Sequence, residues 1–255
     1  MLILLPPSEG KTAPVRGSSL RLESLSFPAL REPRERVLEA LVALCSSSTT
    51  EVAADTLGLG PTQLGEVDRN ATLTKGPTAR ADRVYSGVLY EALDLPSLSA
   101  PARARASRWL AITSALFGLL RPTDRIPAYR LSGGVSLPNV GPLATYWAGH
   151  LDPVVREAAG SGLVVDLRSS TYGSFWRPRP ELRDRVVTVR VLHEVDGVRK
   201  VVSHFNKATK GRLVRNLLVD GRAPRRPPEL ADQLTGLGWK VEHAGNRLDV
   251  VVTAL

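Results

Sequence analysis

The stretch Met1-Leu2-Ile3-Leu4-Leu5-Pro6-Pro7-Ser8-Glu9-Gly10-Lys11-Thr12 opens the chain and decides how its fold is interpreted. Residues 1–5 are apolar without a break, which is typical of a strand buried on both faces at the centre of a sheet. Two prolines then end the strand, because proline has no backbone N–H. The loop that follows presents Ser8, Glu9 and Lys11. We therefore expect a central strand whose carboxyl end leads into either an anion site or an ordinary polar turn.

The same loop imitates a phosphate-binding P-loop because it ends in Gly-Lys-Thr at residues 10–12. Leu5, however, stands where the first glycine belongs, and neither of the prolines that follow has an N–H to donate to phosphate. Residues 13–17 also do not begin a helix whose amino end could attract an anion. The segment is therefore not a P-loop.

Outward from this strand, hydrophobic periodicity predicts helices and strands in mixed order. Helices are expected at about 34–45, 51–57, 61–67, 82–93, 143–159, 206–219 and 230–237. Further strands are expected at about 109–116, 163–167, 186–193, 198–205 and 248–252, with Asp196-Gly197 as a hairpin turn. The pattern contains no internal repeat and no βαβ rhythm. It predicts one α+β domain over 1–255, built on a mixed sheet flanked by helices.

Composition limits the classes of function. The 255-residue chain carries a net charge of +9 and has a pI near 10.2, which favours anionic partners. Only six of its 34 basic residues are lysines, and such an excess of arginine can follow from the base composition of the genome. Base composition therefore explains the charge as well as a functional role does. Aromatic residues make up 5%, which argues against a base-stacking platform for single strands. The four histidines have no ligand-like spacing, so we expect neither zinc nor another cofactor.

Cys45 is the only cysteine, which excludes an internal disulfide and fits a reducing compartment. It lies in an apolar helical run, so a buried structural role is favoured over a redox role. The first residues lack the basic segment of a signal peptide, and no apolar run approaches the ~18 residues that span a bilayer. We expect a cytoplasmic monomer that does not contact membranes.

The sequence Gly58-Leu59-Gly60 separates two short predicted helices. Such a turn is typical of a helix-hairpin-helix element, in which backbone N–H groups bind one nucleic-acid phosphate. We expect this element at about 50–68, with Gly58 and Gly60 as DNA contacts. Few basic residues lie nearby, so a plain pair of antiparallel helices is the alternative.

A long loop after the second predicted strand is stiffened by two prolines and carries Arg121, Tyr129 and Arg130. Guanidinium groups suit phosphate or carboxylate ligands, and long ordered loops are usually functional. The alternative is that the two arginines pair with internal carboxylates such as Asp124 or Asp166.

A hydroxyl cluster follows the buried strand predicted at 163–167. Its members Ser170 and Tyr172 come just after the carboxyl end of that strand. Hydroxyls in this position either bind ligand oxygens or cap a turn.

The segment His204-Phe205-Asn206-Lys207-Ala208-Thr209-Lys210-Gly211-Arg212 begins a predicted basic helix. Lys207, Lys210 and Arg215 share one face of that helix, and Arg212 adds a further charge. The helix macrodipole repels a cation in the first turn, which costs several tenths of a kcal/mol in stability (roughly 0.3–1). We therefore expect an anion to satisfy Lys207 and Lys210, and we expect Lys210, Arg212 and Arg215 to contact DNA. A solvated basic face is the alternative.

Together these segments resemble the YaaA family of peroxide-stress proteins. The matching stretches follow the family's order over nearly the whole chain: 4–11, 85–90, 114–131, Tyr146-Trp147, 163–172 and 205–212. The resemblance implies a single α+β domain with a helix-hairpin-helix element, a positively charged cleft and binding of double-stranded DNA. It also implies a role in limiting oxidative damage that is linked to intracellular iron.

The chain departs from the family pattern in two places. Residues 206–211 read Asn-Lys-Ala-Thr-Lys-Gly where much of the family has Ala-Lys-Lys-Ala-Arg-Gly, so one basic position is lost. The first loop is of the Pro-Pro-Ser-Glu-Gly-Lys subtype and not of the Ser-Pro-Ala-Lys subtype. These departures leave open whether this subtype takes the family's ligand.

Two functional hypotheses follow. The first is a peroxide-stress protein that binds DNA through a basic cleft. The second is an enzyme or sensor for a nucleotide or another phosphorylated small molecule, because polar side chains gathered at strand ends are typical of a pocket. The expected ligand contacts are Ser8, Lys11, Arg121, Tyr129, Arg130, Ser170, Tyr172, Lys207 and Lys210. In an enzyme, Lys207, Lys11 or Tyr172 would act as base or nucleophile.

Overall fold

The computed structural model describes residues 1–195, 198–200 and 203–253. Its strands are β1 (Leu2–Leu5), β2 (Ala79–Arg80), β3 (Leu110–Ser114), β4 (Gly118–Leu120), β5 (Arg125–Ile126), β6 (Ser136–Leu137), β7 (Gly141–Pro142), β8 (Val164–Asp166), β9 (Val186–Val195), β10 (Val198–Lys200), β11 (Lys240–Ala244) and β12 (Arg247–Val252). Its α-helices are α1 (Arg31–Ser47), α2 (Thr50–Leu57), α3 (Gly65–Ala71), α4 (Ala81–Val84), α5 (Val88–Leu93), α6 (Ala100–Trp109), α7 (Leu143–Ala148), α8 (Leu151–Ala159), α9 (Ser170–Gly173), α10 (Ser203–Asp220) and α11 (Pro227–Gly236).

One large sheet organises the molecule, in the order β11-β12-β9-β8-β1-β3-β4, with β10 paired to β9. β1 lies parallel to β3 and to β8, so that Ile3 is opposite Leu110 on one side and Val165 on the other. β9 continues the parallel set beside β8, and β12 continues it beside β9. The strands at the two ends of the path, β4 and β11, are antiparallel to their neighbours. The predicted α+β class with a mixed sheet flanked by helices is confirmed.

β1 is the central strand that its apolar sequence predicts. Each of its residues is at most 1% exposed, because strands enclose it on both sides and α6 packs against it. Parallel strands end at the same edge of a sheet. We call the edge at which β1, β3 and β8 end the carboxyl edge, and the opposite one the amino edge. The loop that begins at Pro6 therefore starts at the carboxyl edge.

The prediction of one continuous helix at 82–93 is wrong, because α4 and α5 are separate helices. The main chain of Tyr85 pairs with that of Lys11 as an antiparallel bridge, and the Thr12 N–H donates to the carbonyl of the last α4 residue (2.8 Å). Gly87 then adopts a φ of +98°, a backbone conformation that favours glycine. A contact with the distant first loop thus interrupts the helix.

Other boundaries also differ from the sequence prediction. The helix predicted at 143–159 is divided into α7 and α8, and the strand predicted at 198–205 is wrong at its end, where α10 begins at Ser203. The predicted hairpin turn Asp196-Gly197 lies outside the described residues. The sequence pattern predicts neither α6 nor β11, since both are largely solvent-exposed and lack a continuous apolar stripe.

Cys45 lies buried in α1 as a free thiol, as its apolar helix predicts. Within the described ranges, no helix combines the length and the apolar character that crossing a membrane requires. The same ranges contain no group of three His, Cys, Asp or Glu side chains placed to hold a metal ion.

Candidate anion-binding site at the carboxyl edge

The loop after β1 is fastened to the segment between α4 and α5. Besides the main-chain bridge described above, the Ser86 N–H donates to the Gly10 carbonyl (3.4 Å). A side chain at Gly87 would bring its Cβ to 3.1 Å from the Ser8 hydroxyl oxygen, so the two segments are in close contact. Within the loop, the Lys11 amine donates to the Ser8 carbonyl (2.9 Å). These contacts hold the amine at the carboxyl edge.

The Lys11 amine lies against two tyrosine rings, 4.2 Å from the centroid of Tyr129 and 5.6 Å from that of Tyr85. Burial lowers the pKa of Lys11 from 10.5 to about 8, an effect that the Glu9 carboxylate opposes and the Arg130 guanidinium reinforces. Ring faces attract a cation, but here the loss of hydration outweighs that attraction. The residue is still partly exposed. Lys11 is therefore neither sealed in the core nor free in solvent.

A chain of buried hydroxyls lies beneath this amine. The Tyr129 hydroxyl is 2.9 Å from the Tyr85 hydroxyl and 2.7 Å from that of Ser114, which also accepts a bond from the Phe117 N–H (3.0 Å). Burial raises the pKa of Tyr85 to about 12 and that of Tyr129 well above its usual value of 10. Both phenols are thus protonated at neutral pH and can only donate or accept hydrogen bonds.

Tyr172 belongs to the same group of side chains. It is buried in α9, and its pKa is raised by burial and then by the charge of Glu9, while a bond from the Gly133 N–H opposes the rise. A Cβ at Gly133 would lie 3.0 Å from the Tyr172 ring, so any larger residue here would press on the ring. The raised pKa makes Tyr172 a hydrogen-bonding group and a poor base.

Arg130 is held beside the first loop. Its guanidinium is 3.3 Å from both the carbonyl and the carboxylate of Glu9. The fully buried Asn70 fixes its main chain, accepting from the Arg130 N–H (2.9 Å) and donating to the Arg130 carbonyl (2.7 Å). Asp166, a carboxylate considered as a partner for Arg130, is instead bound by Arg168 (2.7 Å). Arg130 therefore pairs with an exposed carboxylate that a ligand can replace.

The two lysines of α10 have different environments. The Lys210 amine donates to the Leu167 carbonyl (2.9 Å) at the end of β8, and burial lowers the pKa of Lys210 while Asp166 opposes the change. Lys207 is exposed, and its amine has no partner among the described residues. Only Lys207 is therefore free to contact a ligand without breaking an internal bond.

Close packing of α10 on α5 brings these lysines to the carboxyl edge. A Cβ at Gly211 would lie 2.3 Å from the Leu89 carbonyl oxygen, so the two backbones touch at this glycine. One turn further on, Arg215 donates to the Leu93 carbonyl (3.0 Å). From the first contact to the second, the position moves four residues towards the carboxyl end in both helices, so α10 and α5 run parallel. Lys207, one turn before Gly211, is accordingly level with the segment that precedes α5.

Arg121 does not join the other candidates. It follows β4, which runs back from the carboxyl edge, and so it lies at the amino edge. Its guanidinium donates to the carbonyls of Arg108 (2.7 Å) and Leu110 (2.9 Å) and lies 4.8 Å from the centroid of the Phe27 ring. Burial lowers the pKa of Arg121, an effect that Asp124 opposes. This arginine clamps the start of β3.

Three further candidates occupy separate positions. Ser170 is exposed at the start of α9 and Arg212 is exposed on α10, and neither side chain has a partner within the described residues. Arg215 is instead bound to the end of α5 and the turn after it, through the Asp94 carbonyl (2.8 Å) and the Ser97 hydroxyl (2.8 Å). Its binding capacity is therefore largely used within the protein.

The glycine turn predicted to bind DNA has internal partners for its N–H groups. Gly58 ends α2 with a φ of +64°, and its N–H donates to the Asp55 carbonyl (3.0 Å). The Gly60 N–H donates to the side-chain oxygen of Gln63 (3.2 Å), and the main-chain N–H of Gln63 donates back to the Gly60 carbonyl (2.9 Å). A phosphate would have to displace these bonds. The helix-hairpin-helix element and its DNA contacts stay predictions.

Two buried polar residues that the sequence analysis does not single out support the site. Asn70 fixes Arg130, as described. Arg34 is fully buried in α1 and donates to the carbonyls of Phe117 (3.0 Å) and Leu119 (2.6 Å), which shapes the turn after β3. Burial lowers the pKa of Arg34 to about 10. In the sequence, the sign of this role is that Arg34 lies on the apolar face of a predicted helix.

Comparison with known sequences assigns the chain to a family. Residues 1–242 match the sequence model of the family described as "Peroxide stress protein YaaA". The chain belongs to the YaaA family. It is 52% identical over 242 residues to a UPF0246 protein of Streptomyces coelicolor, a match that covers 95% of this chain and 92% of the relative.

More distant relatives share the same extent. A UPF0246 protein of Corynebacterium efficiens is 43% identical over 245 residues, covering 95% of each chain. One from Shewanella loihica is 30% identical over 226 residues, covering 86% of this chain and 85% of the relative. The resemblance found in the sequence is confirmed, and membership of the YaaA family supports a role in the response to peroxide stress.

Proposed function

We propose that this protein acts in the peroxide-stress response by binding the phosphate backbone of double-stranded DNA at the carboxyl edge. Membership of the YaaA family supports the stress role. Phosphate contacts supply most of the affinity of proteins that bind DNA without reading its sequence. The proposal therefore depends on where cations are exposed.

The observation that supports this location is the convergence of cations from distant segments. Lys11 follows β1, Arg130 lies in a loop more than one hundred residues later, and Lys207 is in the second turn of α10. The carboxylates of Glu9 and Glu66 act on Lys11, and Glu9 is paired with Arg130. A positively charged edge of this kind attracts phosphate from a distance.

The exposure of each cation decides whether it can touch a DNA phosphate or only add to the positive field. Lys207 and Arg212 are exposed and unpartnered in the described part of the chain, so they can reach a duplex surface. Lys210 is bound to the Leu167 carbonyl, and Lys11 to that of Ser8. We expect the first pair to touch phosphates and the second pair to add only to the local field.

Fluorescence anisotropy with a labelled duplex tests the proposal. With two phosphate contacts, affinity should fall roughly 12-fold between about 50 and 200 mM salt. The double variant Lys207→Ala/Arg212→Ala should lower the slope of log affinity against log salt by about 2. A change of less than about threefold over that salt range would contradict DNA binding altogether.

The matched control removes two charges from the amino edge. A groove of about 640 Å³ there is lined by Arg185, Arg225 and Arg226, among others. Arg225→Ala/Arg226→Ala removes two exposed arginines and the same net charge, and it should change the slope by less than about 0.5. If this variant lost more affinity than Lys207→Ala/Arg212→Ala, DNA would bind at the amino edge and the proposed location would fail.

A second candidate function is the binding of a small phosphorylated molecule at Lys11. The enclosure of its amine by two tyrosine rings, with Arg130 and Tyr172 nearby, favours a compact ligand over a duplex. Thermal unfolding with nucleotides, pyrophosphate and inorganic phosphate tests this function. A binder at 100 times its Kd should add about 2.7 kcal/mol to the free energy of unfolding. A small ligand that also displaces duplex DNA would place both at one edge.

A further inference from the structure

The Lys11 amine has an environment unlike that of the other lysines. Its one hydrogen-bond acceptor in the described structure is the Ser8 carbonyl, and the rings of Tyr129 and Tyr85 cover other sides. An ammonium ion has three N–H donors, so this position satisfies the charged form poorly. With a pKa of about 8, roughly a tenth of the amine is neutral at pH 7 and carries a free lone pair, and that fraction rises steeply towards pH 8.

The remaining lysines lack this combination of partial burial and an open valence. Lys210 is also half-buried, but its amine has two carbonyl acceptors, those of Leu167 (2.9 Å) and Arg168 (3.5 Å). Lys75 and Lys207 are exposed, as are Lys200 and Lys240. Of the six lysine amines, that of Lys11 is thus the one that is both half-buried and short of hydrogen-bond acceptors.

The surroundings also suit an anionic group next to the amine. Arg130 lies beside Lys11, and its contacts with Glu9 are long, at 3.3 Å. A phosphate or carboxylate can take the place of Glu9 and receive a two-pronged bond from the guanidinium. The tyrosine hydroxyls around the amine are neutral, so they do not repel an anion.

We propose that Lys11 is a nucleophilic amine that forms an imine with a small aldehyde or ketone whose phosphate or carboxylate is held by Arg130. The nitrogen lone pair attacks the carbonyl carbon, and the carbonyl π bond becomes the hydroxyl of a carbinolamine. The C–O bond then breaks, and the oxygen leaves as water with the two hydrogens of the neutral amine. No oxidant or reductant takes part. This inference rests on the second candidate function, an anion site at Lys11, and is independent of DNA binding.

Trapping with borohydride tests the proposal. The probe is pyridoxal 5′-phosphate, an aldehyde with a phosphate, added at about pH 7.5 and followed by reduction and peptide mass spectrometry. We expect one adduct per chain, on Lys11, at least about tenfold more abundant than on any other lysine. The trapping rate should rise through about pH 8 and level off above it. Adducts spread over the exposed lysines would overturn the proposal.

Three arms separate the amine from the anion site. Lys11→Arg should abolish the specific adduct, whereas the matched variant Lys75→Arg, at an exposed position, should leave it unchanged. Pyridoxal without the phosphate should label wild-type Lys11 about tenfold less, and Arg130→Met should remove that difference between the two probes. If pyridoxal phosphate raised the thermal midpoint without a trapped adduct on Lys11, the anion site would stand and the amine proposal would fail.

Discussion

At the amino edge of the sheet, two arginines each bind two carbonyls of the protein's own main chain, whereas at the carboxyl edge one lysine lies against tyrosine rings with a single carbonyl as acceptor and another extends into solvent. Arg121 donates to two carbonyls at the start of β3, and Arg185 to two carbonyls just before β8. Lys11 lies against two rings, and Lys207 has no partner in the described structure. Both edges carry positive charge, but the arginines named at the amino edge hold the main chain, whereas the lysines named at the carboxyl edge leave N–H donors open to a ligand.

The net charge of +9 is therefore not by itself evidence of a polyanion site. A guanidinium offers five N–H donors in a fixed plane, which suits the clamping of several carbonyls at once. An ammonium is a compact charge whose pKa responds to burial. Arginines that close strand ends therefore raise the net charge without forming a site for a polyanion, and the few lysines at the carboxyl edge are the better guide to function.

The largest expected effect comes from breaking the amino-edge clamp. Arg121→Met should lower the free energy of unfolding by about 2–3 kcal/mol, because two strand-end carbonyls lose a charged donor in a partly buried place. Urea denaturation measures the change. The control is Arg212→Met on the exposed surface of α10, where we expect at most about 0.5 kcal/mol. Equal losses in the two variants would mean that Arg121 does not act as a clamp.

An intermediate effect of opposite sign is expected at the carboxyl edge. At pH 7 the folded protein holds a proton on Lys11 although its surroundings favour the neutral amine. Lys11→Met removes that cost but also the bond to Ser8, so the free energy of unfolding should rise by about 1–2 kcal/mol. The gain is complete below about pH 8 and shrinks towards about pH 10.5, as the unfolded chain also loses its proton.

Urea denaturation at about pH 7 and pH 10 resolves this dependence, with Lys75→Met as the exposed control. A loss of stability in Lys11→Met that does not vary with pH would indicate that the lysine is a structural residue of the loop. The contrast between the two edges would then disappear.

The smallest effect is expected at the glycine turn. Gly60 has open space around its Cα, and its N–H already donates to Gln63. Gly60→Ala should therefore change the free energy of unfolding by less than about 0.5 kcal/mol and the affinity for duplex DNA by less than about twofold. Anisotropy titration checks the affinity. A tenfold loss would restore the helix-hairpin-helix element as a DNA contact and add a third region to the comparison.

Sequence alone predicts the centre of this molecule well. A strand buried on both faces must be apolar at every position, so β1 and its loop are visible without a structure. The positions of Lys207 and Lys210 on one helix also follow from helical spacing. These features depend on residues that are close together in the chain.

What the sequence could not give depends on contacts between distant segments. The break between α4 and α5 follows from the bridge between Tyr85 and Lys11, which are 74 residues apart. The position of Arg121 follows from the reversal of β4 against β3, which places it at the edge opposite Arg130. The sequence places these two arginines nine residues apart in one loop, and the sheet separates them.

The central place of β1 has a consequence for synthesis on the ribosome. This strand is made first, but its partners β3 and β8 begin only at residues 110 and 164. At roughly 5–20 residues per second, β8 follows β1 by about 10–30 s. Until residue 110 is made the most apolar strand of the sheet has neither neighbour, and from there to residue 164 it still lacks β8. Pauses in translation before residue 164 should therefore favour aggregation of the nascent chain, whereas pauses after it should not.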